Sequence, residues 1–162
     1  MANAQRETDS RHFAANRARA GREPQAMWET EVSVQDKSLA GRRVLIIEDE
    51  STVATLFADI ARELGCEIAG LASRFSEAIE KARSLSADVA ILDIYLSGQA
   101  SHPVAKILAE RGIPVVVASG YGEAAVPASL PAAALLQKPF HVRDLERALR
   151  VALDPVAAAQ PC

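Results

Sequence analysis

Short apolar runs, each closed by a polar residue and separated from the next by a stretch of helical periodicity, constrain this chain more than any other feature. Residues 44–47 (VLII), 89–92 (VAIL) and 114–118 (PVVVA) are continuous apolar runs rich in β-branched residues, with shorter runs at 66–72 and at Leu135-Leu136. Strands without polar alternation are those buried on both faces of a parallel sheet. Between them, residues 52–64 put Val53, Leu56, Phe57, Ile60 and Leu64 on one helical face, with Gly65 as a C-terminal cap. Residues 73–85 turn Phe75, Ala78, Ile79 and Ala82 inward and Glu80, Lys81 and Arg83 outward. A third helix is capped by Ser101 or His102, has Pro103 at its first position, packs Val104, Ile107 and Leu108, and ends at Gly112. A last helix over 142–153 packs Leu145, Leu149 and Ala152. Alternation asks for a further helix over 123–133, but Pro127 and Pro131 argue for a short or irregular one. The pattern predicts an α/β fold: one doubly wound, five-stranded parallel sheet with helices on both faces and right-handed crossovers.

In such sheets the functional site lies beyond the carboxyl ends of the strands, near the point where strand order reverses. The residues expected there are Glu48, Asp49 and Glu50 after the first strand, Asp93 after the third, Ser119 after the fourth and Lys138 after the fifth. Two carboxylates about 4 Å apart repel by roughly 4 kcal/mol at an effective dielectric near 20. A fold that crowds them needs a cation; without one, the acidic run is a solvated loop. Oxygen ligands suit Mg2+, which is commonly held by one or two carboxylates plus a phosphate. Asp93 then serves as ligand only, or as ligand and nucleophile. Lys138, the Ser119 hydroxyl and the backbone N–H groups at Ser119-Gly120 would surround the oxygens of a phosphoryl group on Asp93. A side chain at Gly120 would crowd that group. Glu50 reads as a solvent-facing residue at the start of the first helix, where its charge suits the helix dipole.

Composition narrows the partners. The 162 residues allow one domain with a sizeable core, and a net charge of -3 gives no general attraction to nucleic acid or anionic lipid. Cys66 and Cys162 have no metal or disulfide spacing, which suits a reducing cytoplasm. Arg6, Glu7, Asp9 and Arg11 stand where a signal peptide needs an apolar core, and the longest uncharged stretch, 124–137, contains two prolines and is too short to span a bilayer, so no membrane insertion is expected. Residues 1–41 lack sustained periodicity and read as a mostly disordered arm; a short helix over 12–20 and a docked Trp28 are the alternatives. The domain is expected over 42–153, followed by a flexible tail over 154–162. His12, His102 and His141 are scattered and read as surface or capping residues.

Over about 42–153 the sequence resembles the receiver domain of two-component response regulators. The matching residues are Glu48-Asp49, the phosphoacceptor Asp93 in LDIYLSG, Ser119 in VVVASGYG, and the triplet Lys138-Pro139-Phe140. Singly each motif is weak; together, each at a strand end and in this order, they are specific. The stretch PVVVASGY over 114–121 is similar to the alphaproteobacterial single-domain branch that reads P-F-x-F-A-T-G-Y. The resemblance implies a flavodoxin-like receiver fold. It also implies direct Mg2+ ligation by Asp49 and Asp93, a water-mediated role for Glu48, a ligand from the backbone carbonyl of Tyr95, and a cis Lys138-Pro139 peptide. It implies phosphoryl transfer from a sensor histidine kinase or histidine phosphotransfer protein, with Thr52, Thr55 and neighbouring first-helix residues facing the kinase. The segments outside 42–153 are too short for an output domain, so output is expected by contact with a downstream protein, or by acting as a phosphate sink.

The pattern also departs from the family. Leu135 occupies the place of the usual aromatic switch residue, which leaves Tyr121 to take over part of its role beside Ser119. Tyr95 stands where the branch often has Asn, and its ring can obstruct the water that hydrolyses the acyl phosphate. Pro127 and Pro131 put the fourth helix in doubt. Two other functions use the same residues. A haloacid-dehalogenase-like phosphatase shares the Asp, Ser, Lys and Mg2+ set but needs D-x-D after its first strand, where Asp49 is followed two places on by Ser51. A phosphorylation-independent adaptor would keep only the fold.

Overall fold

A computed structural model describes residues 39–154; the readings for the arm, for Trp28 and for the tail beyond Asp154 lie outside the described residues. The elements run β1 (Arg43–Ile47), α1 (Ser51–Glu63), β2 (Glu67–Ala72), α2 (Phe75–Ser84), β3 (Val89–Asp93), β4 (Tyr95–Leu96), β5 (Gln99–Ala100), α3 (His102–Glu110), β6 (Val115–Ser119), a short 3-10 turn (Glu123–Ala125), β7 (Ala134–Gln137) and α4 (Val142–Leu153). The main sheet has the order β2-β1-β3-β6-β7 with every neighbouring pair parallel. The chain leaves β1 for β2 on one side and returns to β3 on the other, so strand order reverses between β1 and β3.

The continuous apolar runs are explained by two separate cores. Successive side chains of a strand point to opposite faces. Val44 and Ile46 join Phe57, Ile60, Leu145 and Leu149 under α1 and α4, whereas Leu45 and Ile47 join Ala78, Ala82, Val104 and Leu108 under α2 and α3. The same division separates Ile91 from Ala90 and Leu92, and Val116 from Val115 and Val117. A run that serves two cores has no polar face to show.

Three local outcomes differ from the sequence reading or add to it. On α1, Leu56 is 47% exposed, and the buried stripe consists of Phe57, Ala58, Ile60 and Ala61. Leu56 lies about 100° round the helix from Phe57, at the edge of that stripe. After β6 the prolines prevail: the 3-10 turn over Glu123–Ala125 is the only helical structure before β7. Between β3 and α3 the chain forms a two-stranded hairpin that the strand count did not anticipate, β4 paired antiparallel with β5. Its turn residues, Ser97 and Gly98, have φ of 50° and 81°. Left-handed backbone at both central positions is what a tight two-residue hairpin requires, and Gly adopts it without steric cost. Ser101 occupies the N-cap position of α3, but its buried hydroxyl donates back to the carbonyl of Ile94 at 3.0 Å and makes no cap bond to the helix.

Candidate functional site

The first strand's polar exit is divided by depth. Glu48 is 1% exposed, while Asp49 and Glu50 reach solvent. Strand β1 carries the chain out of the core at Glu48, whose N–H still bonds the carbonyl of Ala72 at 2.9 Å. The N–H of Glu50, which caps α1, donates to Glu48 Oε1 at 3.2 Å. Asp93 closes β3, with its Cα paired to that of Ala118. Ser119 follows on β6, buried at 3% exposure, with its hydroxyl oxygen accepting from the N–H of Tyr121 at 3.1 Å. Its carbonyl accepts from the N–H of Lys138 at 2.8 Å, which fixes where the lysine leaves β7. The Lys138-Pro139 peptide is cis. Beyond it, Phe140 stacks on Phe57 of α1 at 4.8 Å with rings 2° from parallel.

The Lys138 ammonium donates to Glu48 Oε2 at 2.6 Å and to Asp93 Oδ2 at 2.8 Å. Burial pushes the Glu48 carboxyl up to about 7, helped by the neighbouring charge of Asp93 and opposed by Lys138. Burial works against the Lys138 ammonium, but Asp93 and Glu48 outweigh it and its pKa is raised.

Glu48, Asp49 and Asp93 each offer an oxygen within 4.8 Å of the others. Opposite oxygens around a Mg2+ ion stand about 4.2 Å apart, a span comparable to the one these carboxylates define. With all three carboxylates ionised, the one ammonium leaves an excess of two negative charges, the charge of one divalent ion. The donor set, all hard oxygens, fits Mg2+.

A model of the response regulator receiver domain matches residues 44–150. The chain belongs to the response regulator receiver family. This receiver is similar to "Transcriptional regulatory protein PdtaR" of Mycobacterium tuberculosis, with 34% identity over 117 residues that make up 70% of this chain and 57% of that protein. It therefore spans little more than half the length of that relative. Among solved structures it resembles SdrG from Sphingomonas melonis Fr1, with 32% identity and a TM-score of 0.63, over 72% of this chain and 98% of that one. It also resembles the receiver domain of the Erythrobacter litoralis response regulator PhyR, with 27% identity and a TM-score of 0.63, over 77% of this chain and 98% of that one.

Of the receiver residues singled out from sequence, Glu48, Asp93 and Lys138 meet directly, and Asp49 joins them in the acidic cluster. Gly120 is open: a Cβ there would meet no protein atom within 4 Å. Tyr95 and Tyr121 face each other edge to face, ring centroids 6.4 Å apart, with 44% and 76% of their surfaces exposed. Leu135 is 40% exposed and, with Ser119, Val126, Gln137 and Arg147, lines a groove of about 490 Å³ beside β7. Ser97 is the contact the sequence reading missed: its N–H donates to Asp49 Oδ2 at 2.7 Å. The available signal was the Ser-Gly dipeptide, a turn marker between two short runs. No helix among the described residues is long and apolar enough to cross a membrane.

Proposed function

We propose that Asp93 accepts a phosphoryl group from the phosphohistidine of a sensor kinase or phosphotransfer protein, and that the acyl phosphate then changes the surface offered to a downstream protein. The observation that carries this reading is the Lys138 ammonium 2.8 Å from Asp93 Oδ2, beside two further carboxylates. An Asp93 oxygen attacks phosphorus in line as the P–N bond to histidine breaks; the bonding electrons leave with the imidazole nitrogen. Asp49, Asp93 and the Tyr95 carbonyl would hold Mg2+, with Glu48 acting through water, and the bound ion would supply positive charge to the phosphoryl oxygens. Lys138 supplies positive charge from the protein side, and the Ser119 hydroxyl with the backbone N–H groups around Gly120 donates to the remaining oxygens.

Ser119 borders both this site and the groove beside β7, so a hydroxyl drawn toward phosphate alters the groove wall at Leu135. Tyr121, bonded to Ser119 through its N–H, moves with it. Thr52 and Thr55 are exposed on α1 and would meet the kinase, with the unexpectedly exposed Leu56 adding an apolar contact. Such a role belongs in the cytoplasm, where the kinase's catalytic parts act. Incubation with a small phosphodonor and Mg2+, read by mass, is expected to add one phosphoryl group to the wild type and none to Asp93→Asn. A wild type that takes up none leaves the adaptor reading. Sustained turnover of a phosphate monoester would favour the phosphatase.

A further inference from the structure

The β4–β5 hairpin meets the acidic cluster through two backbone donors. The N–H of Tyr95 donates to Asp93 Oδ1 at 3.2 Å, and that of Ser97 to Asp49 Oδ2 at 2.7 Å, with the Ser97 hydroxyl 3.5 Å from the same oxygen. Ser97 is the one non-glycine with positive φ among the described residues. A left-handed serine persists only where its surroundings hold it, and here the hairpin register and the Asp49 carboxylate both do so. Asp49 needs such a partner. It is exposed, and repulsion from Glu48 and Asp93 would turn a free side chain out toward water. A hydrogen bond to a charged acceptor is short and strong, and 2.7 Å lies in that range.

We propose that Ser97 is a positioning residue: the hairpin tip uses its N–H to hold Asp49 in the rotamer that captures Mg2+. The inference rests on the metal reading above and extends it to a loop outside the acidic cluster. The donor belongs to the backbone, so what matters at positions 97 and 98 is the turn and not the serine side chain. Ser97→Gly retains both donor and turn. Gly98→Val damages the turn, because a β-branched residue resists a φ of 81°, yet its Cβ would meet no atom within 4 Å, so it introduces no clash. Gly112→Val is a matched control: it has a φ of 72°, equally open space, and a place at the far end of α3.

The test is calorimetric titration of the full chain with MgCl2. Gly98→Val is expected to weaken binding about tenfold, the equivalent of one hydrogen bond to a charged group. Ser97→Gly and Gly112→Val should stay within about twofold of wild type. With Asp49→Asn already in place, Gly98→Val should weaken binding no further. Wild-type affinity in Gly98→Val, an equal loss in Gly112→Val, or an undiminished loss in the Asp49→Asn background each overturns the role of Ser97 alone. A wild type that binds no Mg2+ overturns the metal reading, and this inference with it.

Discussion

Lys138 joins Glu48, 90 positions earlier in the chain, to Asp93, 45 positions earlier, through contacts of 2.6 and 2.8 Å. One ammonium thus ties together the ends of β1, β3 and β7 where the sheet order reverses. The arrangement keeps a buried acid, Glu48, beside the residue assigned to phosphoryl chemistry.

Lys138→Ala is expected to abolish measurable phosphorylation from a small phosphodonor. It should also destabilise the metal-free protein by about 2 kcal/mol at pH 8, because Glu48, buried without its partner, must either stay an unpaired carboxylate or take up a proton that the unfolded chain would not hold. At pH 5 the loss should shrink, since Glu48 takes up a proton. Urea unfolding in EDTA at the two pH values measures both effects.

The raised Glu48 carboxyl sets a pH dependence of known sign. Its folded pKa is about 7 against an ordinary 4.5, so between these values the folded state binds more protons than the unfolded chain. Stability in EDTA therefore falls as pH rises through that window, and Glu48→Gln should flatten the slope. Glu77 is shifted the opposite way, lowered by its hydrogen bond from Lys81, and acts below the window. Mg2+ binding requires deprotonated carboxylates, so its affinity should rise from pH 6 to pH 8 in wild type and less steeply in Glu48→Gln.

Phe57 links the core to the site. It is fully buried and stacked on Phe140, two residues beyond Lys138. Phe57→Ala should cost about 3–5 kcal/mol in urea unfolding, and should slow phosphorylation even where the protein remains folded, because the loop carrying the lysine loses its anchor.

Tyr95 and Tyr121 meet edge to face, and the backbone N–H of Tyr95 donates to Asp93 Oδ1. Tyr95→Asn is expected to shorten the life of the acyl phosphate severalfold by opening a path for water. Decay of the phosphorylated mass after removal of the donor measures it, and an unchanged half-life would remove the shielding role. Tyr121→Ala should blunt the phosphorylation-dependent NMR shifts of β6 and β7 if Tyr121 does the work of the missing aromatic at Leu135.

The strands and most helices were legible because each is a local pattern. Residues 44–47 and 89–92 can be uniformly apolar only where both faces are covered, and the polar residues that end those runs mark the site edge of the sheet. Leu56 was placed wrongly because helical periodicity locates a stripe but not its borders, which depend on what packs opposite; here Phe140 and α4 centre the buried face on Phe57 and Ala61. The hairpin was missed because its paired runs are two residues each, too short to show alternation.

Sequence alone determined the order of the five main strands and of the four helices, the doubly wound sheet and the identity of the polar residues at its edge, since these follow from spacing along the chain. Only the tertiary structure decided that Glu48 is the buried acid while its neighbour Asp49 is exposed, that Lys138 bridges two strand ends, and that Ser97 reaches Asp49. Burial and hydrogen bonding depend on residues 45 to 90 positions apart, and local spacing carries no record of which of them will meet.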